Sequence, residues 1–114
     1  MEITKKEVVT SSLFDFVDLP SIHEYGTETF GIRLADNFIT EIYSNLDCLT
    51  IDYLLHPECR HLKTKTKKYR NIILGSYLII YRITETQIQV LRAFHGSHSP
   101  KKIMKTKKIT INQA

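Results

Sequence analysis

The sequence predicts an α+β fold, with an N-terminal strand and a helical hairpin packed on an antiparallel β-sheet in the order β-α-α-β-β-β. Residues 69–95 divide into three strand-like runs separated by short turns. Residues 35–49 repeat apolar side chains at three- and four-residue steps, the spacing of one helix face. A second helical segment precedes them, so helices and strands are segregated along the chain, as in an α+β layer architecture.

Glu7–Thr10 is read as a short first strand, and Ser11-Ser12 as a helix-starting signal. From Leu13 to Phe30, Phe16, Leu19 and Ile22 fall at helical spacing. Pro20 sets a helix start or a kink there, because a proline well inside a helix costs about 3 kcal/mol. Gly31 is the break. In the next helix Ala35, Phe38, Ile39, Ile42, Leu46 and Leu49 form the apolar face, with Asp36, Asn37, Thr40, Glu41, Ser44 and Asn45 opposite.

The strands are Tyr69–Leu74, Tyr77–Ile83 and Ile88–His95. Their connections, Gly75-Ser76 and Thr84–Gln87, are short enough to force antiparallel hairpins. The middle strand is apolar on both faces: Tyr77, Ile79, Tyr81 and Ile83 on one, Leu78 and Ile80 on the other. An antiparallel strand with one wet face alternates apolar and polar instead. The helices cover one face, so more of the chain or a partner must cover the second.

Charge is divided between the halves. Met1–Glu58 holds 11 acidic and 3 basic residues, and Cys59–Ala114 holds 13 basic and 1 acidic, so nets of −8 and +12 lie behind the mild overall +4. Such asymmetry points to a polyanionic or acidic partner for the basic half, or to two halves that attract one another. At 114 residues the chain is one domain, divided here into residues 1–103 and a lysine-rich C-terminal tail, 104–114. No apolar run approaches the ~20 residues that span a bilayer. The first residues lack the apolar core of a signal peptide, and two cysteines, Cys48 and Cys59, fit a reducing compartment. A cytoplasmic location without membrane contact is the expectation.

The residues from about Thr10 to Ile103 resemble the RelE/ParE superfamily of bacterial type II toxins. The resemblance rests on Leu19–Tyr25, Phe30-Gly31, Ala35 and Phe38-Ile39 followed by Glu41-Ile42. It continues through Pro57, Arg70, Tyr77 to Tyr81-Arg82, and Leu91–Ser97. It implies a small growth-inhibiting toxin held inactive by a cognate antitoxin encoded beside it. RelE-like members cut messenger RNA on the ribosome with basic residues; ParE-like members poison DNA gyrase. RelE-like proteins place an arginine directly after the strand tyrosine, where this chain has Leu78 after Tyr77. The later arginine of that pattern falls at or near His98, and Pro100–Ile103 occupies the place of a following tyrosine. His95–Ser97 is more similar to the ParE branch. The resemblance therefore implies a gyrase-directed toxin, with a ribosome-dependent endoribonuclease or a non-toxic antitoxin-binding homologue as alternatives.

If the chain is a nuclease, Arg70, His95 and His98 are the candidate catalytic groups, since histidine titrates near neutrality and arginine offsets charge on phosphorus. His95 is equally read as a strand-end residue bonded to backbone, and Arg82 and Arg92 as partners across neighbouring strands. Lys63, Lys65 and Lys67 would share one side of an extended edge, and with Lys68 and Arg92 they are candidate contacts to nucleic acid or target. The same lysines would equally protect an exposed edge from aggregation. Tyr77, Ile79, Tyr81 and Arg82 are the candidate antitoxin-binding residues. Tyr77 and Tyr81 fit a core role better than a catalytic one. No cofactor is expected. His56, Cys59 and His61 with Cys48 lack the paired close ligands of a zinc site, so no metal is expected either.

Overall fold

The computed structural model describes residues 4–96 and 100–111. Four strands form one mixed sheet in the order β1-β4-β3-β2: β1 Glu7–Thr10, β2 Tyr69–Leu74, β3 Tyr77–Ile83 and β4 Gln87–His95. The meander β2-β3-β4 is antiparallel, and β1 joins it parallel to β4, pairing Glu7–Thr10 with Gln87–Val90. Helices α1 (Leu19–Phe30) and α2 (Ile32–Asp52) pack on one face. Gly31, at φ 94°, reverses the chain between them in a backbone region that favours glycine. The hairpin closes tightly, since a Cβ on Gly26 would lie 3.3 Å from that of Ala35.

Ala35, Ile42, Leu46 and Leu49 of α2 are buried, with Phe38 and Ile39 half-buried beside them. They meet Tyr77, Ile79, Tyr81 and Ile83 of β3 and Ile88 and Val90 of β4. The Tyr81 hydroxyl donates to the Tyr53 carbonyl at 2.7 Å, and the Tyr53 hydroxyl donates to that of Thr4 at 2.7 Å. This chain of bonds ties the end of α2 to both the sheet and the first strand's approach.

The segment before α1 differs from the helix expected over Leu13–Phe30. Ser11 starts it as anticipated, its hydroxyl accepting the Phe14 N–H at 3.1 Å. Residues Phe14–Asp18 then form a π turn, and Pro20 falls in the first turn of α1, where its missing N–H costs little. The wider turn shifts the facing residues: Phe14 and Asp18 turn inward, and Phe16 is 79% exposed. Phe16 is therefore not a core residue, although its spacing to Leu19 suits a regular helix.

The π turn places Asp18 where β1 has run out. Beyond Thr10 the edge of β4 is paired by Ser11, which donates its N–H to the Val90 carbonyl and its hydroxyl to that of Leu91. Asp18 continues the edge: Oδ2 accepts the Ala93 N–H at 2.8 Å and Arg92 Nε at 2.8 Å, and Oδ1 accepts Arg92 Nη2 at 2.9 Å. Arg92 lies over the Phe94 ring, 4.7 Å from its centroid. A β-bulge between Ile80 and Tyr81 in the β3–β4 ladder brings Leu91 onto the second face.

That second face is covered by the chain itself. Ile80 and Leu78, Leu91 and Phe94, and Tyr69 pack under Cys59 and Leu62 of the α2–β2 loop and under Ile103, Ile109 and Ile111. Residues 100–104 form a short helix α3 and Lys105–Lys108 a 3-10 turn. Residues 104–111 are thus packed on the same body rather than trailing from it, although Met104 itself is exposed.

The bidentate, largely buried Asp18–Arg92 pair leads to a graded expectation. Asp18→Ala, which orphans a buried N–H and a guanidinium, should cost about 2–4 kcal/mol in chemical denaturation. Asp18→Asn, which retains an oxygen acceptor for Ala93, should cost clearly less. Equal losses in the two variants would show that the bond to Ala93 contributes nothing.

Candidate functional site

Arg70 and His95, two of the candidate nuclease residues, do not converge. Arg70 pairs in register with Tyr81, whereas His95 pairs with Tyr77, four residues along β3 and on its other side. At about 3.3 Å per residue and 4.8 Å per strand, their backbones stand about 13 Å apart along the sheet and about 10 Å across it. Arg70 instead donates to the carbonyls of Leu54 at 3.0 Å, His56 at 2.9 Å and Lys67 at 3.2 Å, tying the α2–β2 loop to the sheet edge. Arg92 is engaged by Asp18. His98 lies outside the described residues.

The candidate antitoxin residues separate likewise. Ile79 and Tyr81 are 0% exposed, inside the core between sheet and helices, so neither meets a partner in this fold. Arg82 is a clamp: Nε and Nη2 donate to Gln89 Oε1 at 2.9 and 2.6 Å, and Nη2 donates to the Ile109 carbonyl at 2.9 Å. It holds the C-terminal segment to the sheet. Tyr77 alone of the four reaches a cleft.

Lys63, Lys65, Lys67 and Lys68 are exposed, but not along an extended edge. The Lys67 N–H bonds the Thr64 carbonyl at 3.2 Å and Lys67 has φ 55°, so the lysines ring a turn. The Glu58 carboxylate accepts the Thr64 N–H at 3.0 Å, and Glu58 bridges to Arg70 in the sheet. These tethers turn the segment away from the strand-like path its alternation suggests.

A cleft of about 400 Å³ opens between the Gly31 end of the helical hairpin and the β2–β3 turn. Tyr25, Phe30, Leu34 and Phe38 of the helices and Tyr77 and His95 of the strands line it. Phe38 and Tyr77 stand 5.8 Å apart, and His95 meets Tyr77 edge-on at 5.5 Å. Partial burial, with a small contribution from Tyr25, raises the Tyr77 pKa. Tyr25, Phe30 and Leu34 are all more than half exposed, together with Ile32 beside them. Glu24, Glu28 and Asp36 are exposed on the same two helices, and the Asp36 carboxylate is hydrogen-bonded to His23 Nε2 at 2.7 Å.

A family model described as ParE toxin of type II toxin-antitoxin system, parDE, matches residues 17–100. The chain belongs to this ParE toxin family. A solved structure titled as the chromosomal ParDE TA system from P. aeruginosa has a similar fold, with a TM-score of 0.66 over 81% of this chain and 97% of that one, at 16% identity. No curated protein sequence matches. The ParE match spans the hairpin, the meander and the cleft between them, but leaves out β1 and most of the C-terminal cover.

Among the described residues no group of three His, Cys, Asp or Glu side chains is placed to hold a metal, and no helix is long and apolar enough to cross a membrane. Cys48 is exposed on α2, and Cys59 is buried under the second face, where desolvation raises its pKa. The residues that the sequence did not single out are Asp18, Phe30 and Leu34 in these roles. Asp18 carried a signal: a carboxylate set among Phe16, Val17, Leu19 and Pro20 is buried only with a partner.

Tyr81 provides a test of the buried side of this site. Burial holds its hydroxyl protonated well above the ordinary value of 10.0, against a smaller lowering by Arg70. The unfolded chain therefore releases this proton first, so its contribution is intact below pH 10 and drains away as pH rises further. Tyr81→Phe should cost about 1–2 kcal/mol at neutral pH by orphaning the Tyr53 carbonyl. It should also flatten the loss of stability above pH 10, measured by urea unfolding. An unchanged alkaline slope would contradict the burial account.

Proposed function

We propose that this ParE-family toxin arrests growth as a binding inhibitor of DNA gyrase, and that a cognate antitoxin silences it by filling the apolar cleft. The observation that carries the reading is the character of the site. Its walls are aromatic and aliphatic, its arginine neighbour Arg92 is held by Asp18, and Arg70 is spent on loop carbonyls. Transfer of a phosphoryl group needs a placed base, an acid and a cation beside the phosphorus. An apolar cleft on an acidic helical hairpin suits recognition of a protein segment instead.

The antitoxin segment that fits carries apolar anchors at helical or strand spacing, with lysine or arginine placed toward Glu24, Glu28 and Asp36. The second sheet face is not its seat, because Ile103 and Ile109 already occupy it.

Purified toxin should inhibit DNA supercoiling by gyrase or trap cleaved DNA, and leave messenger RNA intact in a reconstituted translation reaction. Codon-specific cleavage with unimpaired supercoiling would overturn the proposal. Phe30→Asp combined with Leu34→Asp should weaken antitoxin binding at least ~100-fold, about 2.7 kcal/mol, as expected for interface anchors. Because both side chains are exposed, the fold should be retained; unaltered antitoxin affinity would place the antitoxin elsewhere.

A further inference from the structure

We infer that the lysine-bearing layer over the second sheet face is a binding surface for the sugar–phosphate backbone of duplex DNA. The surface is built from two segments distant in sequence. Cys59 and Leu62 anchor one, Ile103 and Ile109 anchor the other, and both sets enter the same buried cluster with Ile80 and Leu91. Each segment buries its apolar residues and turns its cations outward. The cations between Arg60 and Lys68, and the five lysines between Lys101 and Lys108, are all exposed.

Among the described residues no lysine of this layer is ion-paired, and the Glu58 carboxylate is the one acidic group tied into it. Among the described residues the ion pairs are His23–Asp36 and Arg92–Asp18, and neither involves a lysine. Lys68 lies over the Tyr69 ring, at 5.6 Å. Glu85 is the only acid after Glu58 and sits at the β3–β4 turn, while the Glu58 carboxylate receives a backbone N–H. The exposed acids of α1 and α2 lie in the layer on the other side of the sheet. The protein thus presents a cationic face backed by an anionic one, a charge separation that orients it on a polyanion and speeds encounter.

The chemistry of the face selects a double-stranded backbone. Unpaired bases are held by stacking on exposed aromatic rings. Here Tyr69 and Phe94 are the rings under the layer, and both are buried. Lysine ammonium groups are point charges that engage phosphates without reading base edges. The choice of DNA over RNA duplexes rests on the gyrase reading above, in which the target is an enzyme holding a DNA segment.

The test is fluorescence anisotropy of a labelled 20-base-pair DNA duplex with the full-length protein across a salt series. The triple variants K63Q/K65Q/K67Q and K101Q/K102Q/K105Q should each weaken binding about tenfold or more, and each contacting lysine removed should flatten the salt slope by about 0.9. Circular dichroism checks that both triples keep the fold. Absence of duplex binding, or wild-type salt slopes in both triples, overturns the inference; so does tighter binding of single-stranded RNA of equal length. Gyrase inhibition without duplex binding overturns this inference alone. Duplex binding by a protein that leaves gyrase untouched upholds the surface and overturns the gyrase reading alone.

Discussion

The central strand β3 has no polar face, and the molecule is organised around that constraint. Tyr77, Ile79, Tyr81 and Ile83 need one cover, and Leu78 and Ile80 need another. Burial of apolar area is worth about 25 cal/mol per Å², so leaving either side wet would cost several kcal/mol and invite association. The helical hairpin supplies the first cover. The α2–β2 loop and the C-terminal segment supply the second, and two arginines hold them there: Arg70 through loop carbonyls and Arg82 through Gln89 and the Ile109 carbonyl. Groups that resemble catalytic or partner-binding arginines in the sequence are thereby committed to holding covers in place.

The same constraint divides the charge. The hairpin is acidic and the second cover is rich in lysine, so stacking them on opposite faces of one sheet turns an asymmetry along the chain into an asymmetry across the molecule. The apolar cleft and the cationic surface are then separated. The cleft of Tyr25, Phe30 and Tyr77 opens at one end of the hairpin, and the lysines stand on the far side of the sheet. An antitoxin in the cleft and a nucleic acid on the lysine layer would occupy different surfaces of a toxin only four strands wide.

Much of the fold was legible in the residues because local pattern and tertiary role agree. The period-two strands, the turns at Gly75 and Thr84, the break at Gly31 and the apolar stripe of α2 all stand as their spacing indicates. The demand for a second cover was legible too, though not which segment meets it. What could not be read depends on long-range partners. The parallel placement of β1 beside β4 joins residues some eighty positions apart. The π turn at Phe14–Asp18 is set by the edge of β4 rather than by local propensity, and it exposes Phe16 and buries Asp18. Arg70, Arg82 and Arg92 could not be assigned, since a guanidinium facing a carbonyl reads in sequence like one facing a phosphate. The lysines at 63–67 alternate like a strand, yet the Glu58 and Thr64 bonds fold them into a turn.

The chain covers its own second sheet face with the α2–β2 loop and the C-terminal segment. Native-state hydrogen exchange of the β3 amides in an Ile103→Asp, Ile109→Asp double variant measures this cover most directly. If the C-terminal cover is integral, two buried or half-buried isoleucines replaced by charge should cost about 3 kcal/mol or more, and exchange at Leu78 and Ile80 should quicken at least ~100-fold. Exchange at the wild-type rate would mean that the face is held dry without this segment, and that it is free to leave for a partner.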